Sequence, residues 1–171
     1  MFDLTGKTAF VTGASRGIGR SVAVSLAQAG ANVALIGRDS AALQETMAAV
    51  QATGRKALPL TADVTSAESM QAAVDRTVAT LGEIDILVCN AGVQKLKPFL
   101  DMKPEDWKGL ISTNLEGAIV TMQSVGRRMV ERKSGSIIAM ASIYSFVGAP
   151  WNSIYCMTKG GLAQLSKALA V

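Results

Sequence analysis

Tyr155 and Lys159 place a phenol and an ammonium four residues apart. On a helix that spacing sets both on one face, one turn apart. A phenol is a poor proton donor or acceptor at neutral pH, and a neighbouring cation favours its phenolate form. Ser142 follows a short apolar run and can offer its hydroxyl to a carbonyl or alcohol oxygen. The chain has no histidine, so His-based zinc sites, His-dependent triads and imidazole shuttles are excluded. Proton transfer must be assigned to tyrosine and lysine.

A second constellation suits an anion. Thr12-Gly13-Ala14-Ser15-Arg16-Gly17-Ile18-Gly19 reads G-x-x-x-G-x-G between a predicted strand and a predicted helix. Its glycines permit a tight turn and close approach of a pyrophosphate, and the helix N-terminus adds N–H groups with partial positive charge. The spacing differs from the G-x-G-x-x-G fingerprint, yet its place at the first crossover points to dinucleotide binding. Gly13, Ser15, Arg16, Gly17, Ile18 and Gly19 are the expected contacts. No Gly-Lys-Ser/Thr follows, which disfavours a mononucleotide loop. Gly37, Arg38 and Asp39 end the second predicted strand. An acid there suits the ribose 2′-OH of NAD, an arginine the 2′-phosphate of NADP. Arg38, seconded by Arg16, favours NADP(H). Asp39 keeps NAD(H) open, although it can instead cap the next helix.

These groups need a scaffold, and the hydrophobic pattern supplies one. Predicted strands at 8–11, 32–36, 57–60, 84–89 and 136–141 alternate with helical stretches at 18–29, 40–54, 66–82 and 104–133, and another from 153 onward. Ser40 and Ser66 are candidate N-caps, and Gly30, Gly82 and Gly135 are stops. Pro59 puts the third strand at a sheet edge, and a bend is expected near Gly117. Strands separated by helices imply right-handed crossovers and a parallel sheet covered on both faces. Residues 1–171 read as one α/β domain, and Ser142 falls at the carboxyl edge where doubly wound sheets bind ligands.

Composition narrows the field. With 49% hydrophobic and 18% charged residues, 171 residues support a packed core and exclude disorder. The net charge of +4 is modest. Arg127, Arg128, Arg132 and Lys133, with Glu131 among them, read as a solvated helix end. Only 5% of residues are aromatic and no basic stripe exists, so nucleic-acid binding is disfavoured. No apolar run reaches the roughly 20 residues of a membrane span, and the start lacks a secretory signal. A cytoplasmic location is expected. Cys89 and Cys156 suit reduced thiols better than a disulfide.

In order along the chain, Thr12-Gly13-(x)3-Gly17-x-Gly19, Asp63-Val64, Asn90-Ala91-Gly92, Asn114, Ser142 and Tyr155-x-x-x-Lys159 resemble the short-chain dehydrogenase/reductase family. The resemblance runs from Lys7 to the last residue. One position departs: Cys89 stands where the family commonly has a second asparagine. The resemblance implies a Rossmann-type doubly wound fold and hydride transfer between a nicotinamide and a secondary alcohol or ketone, without a metal. It makes Tyr155 the general acid/base and has Ser142 orient and polarise the substrate oxygen. Lys159 then favours the phenolate and holds the nicotinamide ribose, while Asn114 holds a water in a proton relay through Lys159. Asp63 and Val64 would contact adenine, and Asn90, Ala91 and Gly92 the cofactor near strand four. An NADP(H)-dependent oxidoreductase leads. An NAD-dependent sugar-acid dehydrogenase of the same family and a non-catalytic cofactor binder are the alternatives. A homo-oligomer, dimer or tetramer, is implied, with 104–133 as one interface.

The doubly wound fold commonly has six strands, and five are countable here. The family adds a strand, a helix, a strand and the segment that closes over substrate. The sequence therefore reads as a truncated product or an incompletely represented chain, with the neighbourhood of strand five exposed. Gln94, Ile143, Tyr144, Val147 and Trp151 would flank the nicotinamide in a partly apolar pocket. Residues 2–7 resemble gluconate-type sugar-acid dehydrogenases, and the overall pattern also resembles 3-oxoacyl-carrier-protein reductases.

Overall fold

Apolar runs of four to six residues, each leading into a turn or helix at its carboxyl end, become five parallel strands. In the computed structural model, which describes residues 2–171, these are Thr8–Thr12 (β1), Asn32–Gly37 (β2), Ala57–Thr61 (β3), Ile86–Cys89 (β4) and Ser136–Ala139 (β5). Their order is β3-β2-β1-β4-β5. The helices between and after them are Gly17–Gln28 (α1), Ser40–Gln51 (α2), Ala67–Leu81 (α3), Pro104–Ile111 (α4), Gly117–Arg132 (α5) and Ser153–Leu169 (α6). Pro59 lies in β3, an edge strand, where a missing N–H costs least.

Strand periodicity divides the core in two. Ala9 and Val11 of β1, with Val33 and Leu35 of β2, pack against Ala23 and Ala27 of α1 and Leu43 and Val50 of α2. The alternate residues Phe10, Ala34 and Ile36 join Met70, Val74, Met122, Val125 and Leu162 on the other face. Every residue of β1 is buried because helices cover both of its faces. At the far edge β5 is open, with Ile137 and Ile138 exposed.

Local chemistry moved several boundaries. Asp39, not Ser40, caps α2: its carboxylate accepts from Ala42 N–H at 3.0 Å, so Ser40 becomes the first helical residue. Ser66 caps α3 as expected. The 104–133 stretch is two helices joined by a π turn at Ser112–Glu116, just before Gly117. Arg128 and Arg132 do not form a merely solvated helix end. They pair with Glu83 and Asp85 at the α3–β4 junction, carboxylates brought there from more than 40 residues away in sequence. Cys89 is buried, which pushes its thiol up to about 12, and Cys156 is half-buried and unpaired. Among the described residues no helix is long and apolar enough to cross a membrane.

Candidate active site

The chain runs β1 to β2 to β3 in one direction, then returns past β1 to β4 and β5. Loops at the carboxyl ends of β1 and β4 diverge at this reversal and leave a cleft of about 700 Å³. Sheet order sets its length. Arg38 and Asp63, after β2 and β3, line one end; Ser142, Tyr155 and Lys159, after β5 and on α6, line the other. Gly13, Ser15, Arg16, Ile18, Gly19, Val64, Asn90, Ala91 and Gly92 also line it. Two expected residues do not. Gly17 shapes the turn, with φ +56°, and Asn114 is buried behind the wall.

The glycine turn is stitched to β4 from below. Thr12 Oγ1 accepts from the N–H groups of Asn90 and Ala91 at 3.0 and 3.1 Å. The Asn90 amide donates to the carbonyls of Thr12 and Gly13 at 3.0 and 3.3 Å. On the outer side, Thr46 donates to Ala14 O and Arg20 to Ser15 O. Arg16, at the N-cap of α1, makes no side-chain cap, so no side chain claims the first-turn amides. A Cβ on Gly19 would sit 2.2 Å from Gly13 O, so helix and turn approach as only glycine permits. Exposed donors, a helix dipole and a close-packed turn fit a pyrophosphate.

At the adenine end, Asp39 caps α2 through Oδ1 and, like Arg38 and Arg16, is exposed on the cleft wall. Asp63 accepts from both the N–H and the hydroxyl of Thr65 at 2.9 Å. Those bonds, and to a lesser degree the Arg38 charge, hold its carboxyl below the usual range. Val64 packs where Gly117 lacks a Cβ, which would lie 2.7 Å from Val64 Cγ2.

At the other end, Lys159 is buried and its Nζ donates to Met140 O at 2.6 Å. The same ammonium lies 5.8 Å from the centre of the Tyr155 ring. Tyr144 packs edge-on against that ring, centroids 6.2 Å apart. Ser142 Oγ accepts from Tyr144 N–H, while Ser145 Oγ accepts from Ser142 N–H and donates to Lys159 O at 2.8 Å. Ser145 thereby ties the Ser142 turn to α6. Asn114 Oδ1 accepts from Val93 N–H at 2.8 Å, and its Nδ2 donates to Val93 O and to Thr158 Oγ1. Its side chain braces the loop after β4 against α6. A π turn at this position releases Asn114 from regular helical register.

Burial lowers the affinity of Lys159 for its proton. Between its depressed folded value and the ordinary ~10.4, the unfolded chain binds more protons, so stability rises with pH there. In urea titrations the unfolding free energy of the wild type, measured relative to Lys159→Met, should increase across that window.

Four residues carry roles that the sequence reading did not assign. Thr12 and Ser145 had a signal, one inside the glycine motif and the other three residues after Ser142 in a capping pattern. Thr158 and the Met140 carbonyl had none, because their roles depend on what folds against them. Of the expected pocket residues, Gln94 lines the cleft and Tyr144 packs on Tyr155, while Ile143, Val147 and Trp151 are exposed.

Residues 7–171 match the family model of short chain dehydrogenases. The chain belongs to that family. The gluconate 5-dehydrogenase of Gluconobacter oxydans is 38% identical over 170 residues, 99% of this chain and 66% of that protein. A 3-oxoacyl-(acyl-carrier-protein) reductase of Staphylococcus aureus is 37% identical over 96% of this chain and 67% of its own length. The chain thus spans about two thirds of the curated relatives it matches. Two solved structures superpose closely. NAD+-bound xylitol dehydrogenase gives a TM-score of 0.95 at 33% identity over 98% of this chain and 65% of that one. A metagenomic short-chain oxidoreductase in complex with NADP gives 0.92 at 33% identity over 98% and 76%.

Proposed function

We propose that the protein is an NADP(H)-dependent oxidoreductase that moves a hydride between a nicotinamide and a secondary alcohol or ketone. The observation that carries this reading is the burial of Lys159 beside Tyr155, in a cleft that Ser142 also lines and whose other end suits a dinucleotide. The cofactor, when bound, supplies or accepts the hydride. The glycine turn and the first turn of α1 would hold its pyrophosphate, and Asp63 and Val64 would border its adenine. Ser142 holds the substrate oxygen, Tyr155 Oη gives or takes its proton, and Lys159 stabilises the phenolate left behind. Asn114, by its bonds to Val93 and Thr158, keeps the loop after β4 in register with α6. The family's homo-oligomer, a dimer or tetramer, would use the α4–α5 face, on which Ile119 and Val130 are exposed.

The NADP preference rests on two cations on the cleft wall, Arg38 and Arg16, against an acid on the same wall, Asp39, whose Oδ1 already caps α2. Arg38→Ala should weaken NADPH binding by about 10- to 100-fold, the worth of charge-assisted hydrogen bonds to a phosphate, and leave NADH nearly unchanged. Fluorescence titration of both cofactors measures this. Equal weakening of the two would overturn the preference and favour the NAD reading. Oxidation of NADPH, followed by absorbance with a panel of ketones and keto sugar acids, tests the reaction itself.

A further inference from the structure

A chain of amides runs from Pro150 through Asn152 to Gln94 on the cleft wall, and its polarity is fixed from one side. The carbonyl of Pro150 can only accept a hydrogen bond, and Asn152 Nδ2 donates to it at 3.2 Å. Asn152 is buried, so its Oδ1 is held facing the opposite way, where it accepts from Gln94 Nε2 at 2.7 Å. Gln94 must therefore turn its nitrogen toward Asn152. Its Oε1, which accepts no hydrogen bond among the described residues, is left as a free acceptor on a side chain that lines the cleft with Ser142 and Tyr155.

The two loops joined by this relay are braced elsewhere. Asn114 grips both the N–H and the C=O of Val93, directly before Gln94. Lys97 N–H donates to Trp151 O at 3.0 Å. Trp151 adopts φ +59°, a left-handed conformation that is uncommon for a bulky residue. Lys95 and Lys97 both bind the buried Asp106 at the start of α4. Such bracing is what a preorganised recognition group needs.

We propose that Gln94 determines specificity by accepting a hydrogen bond from a hydroxyl next to the reacting carbon, so the substrate class is α-hydroxy ketones and the corresponding vicinal diols. This rests on the hydride-transfer reading above. A simple ketone gives Gln94 Oε1 no donor, so a bound ketone that displaces water from that oxygen does not replace its hydrogen bond.

Three matched ketones test the idea with the full chain and NADPH: 3-hydroxy-2-butanone, 3-methoxy-2-butanone and 2-butanone. The methoxy compound keeps an acceptor oxygen but loses the donor, and 2-butanone controls for size. The hydroxy ketone should be favoured in kcat/KM by about tenfold over both others, the worth of one good hydrogen bond. Gln94→Met, isosteric and on an exposed loop, should bring the three to within a factor of about two. Equal handling of the hydroxy and methoxy ketones by the wild type, or a preference that survives Gln94→Met, overturns the assignment while hydride transfer stands. If no ketone is reduced, the hydride-transfer reading fails and this assignment falls with it.

Discussion

Tyr155→Phe should lower kcat by about 10²- to 10⁴-fold, the usual contribution of a positioned acid/base, while cofactor affinity and melting temperature stay close to wild type. The variant removes one oxygen and little else. The ring keeps its edge-on packing against Tyr144 and its position by the Lys159 ammonium. Single-turnover oxidation of NADPH, measured beside a cofactor titration, separates chemistry from binding. An unchanged kcat would remove the phenol from the mechanism, and only the absence of turnover in both proteins would leave the non-catalytic cofactor binder as the better description. A loss confined to KM would mean that Tyr155 only binds substrate.

Gly19→Ala should be the most damaging single-methyl change in the cleft. The added Cβ would meet Gly13 O at 2.2 Å, Asn90 Nδ2 at 2.6 Å and Gly13 C at 2.8 Å. Two of these atoms are backbone, and the third is already bonded to Thr12 and Gly13, so none can swing aside. The turn must move away from α1, at a cost of about 1–3 kcal/mol for overpacking. Dinucleotide affinity should fall by at least about 10-fold, since 1.4 kcal/mol is tenfold in binding. Gly109→Ala is the contrasting control: nothing lies within 4 Å of its Cβ, and on α4 the change should be neutral or stabilising by up to about 1 kcal/mol. Thermal melts and NADPH titrations of both variants read the difference. A Gly19→Ala protein that binds NADPH like the wild type would show that the turn is not the pyrophosphate seat.

The strand and helix pattern was legible because each element carries its own period and its own punctuation. Pro59 marked an edge, Ser66 a cap, Gly82 a stop, and all three act locally. Errors arose where two local signals competed or a distant partner intervened. Asp39 and Ser40 are both good caps, and which one serves depends on where the chain leaves β2. The break before Gly117 is a π turn that holds Asn114 against Val93 and Thr158, contacts spanning 21 and 44 residues. Arg128 and Arg132 looked solvated because Glu83 and Asp85 are remote in sequence.

The sequence by itself determined the kinds of chemistry available: no imidazole, one tyrosine–lysine pair at helical spacing, one glycine turn ahead of a helix and an arginine at the end of β2. Those are properties of residue type and short spacing, which the backbone's periodicity converts directly into position. Only the tertiary structure decided which of those groups face the cleft and which are consumed in holding it. It took Asn114 into hydrogen bonds behind the cleft wall, left Arg38 and Gln94 on that wall, and buried Lys159 beside Tyr155. The reason is that a polar group's role depends on its last unsatisfied bond, and that is known only when every neighbour has been placed.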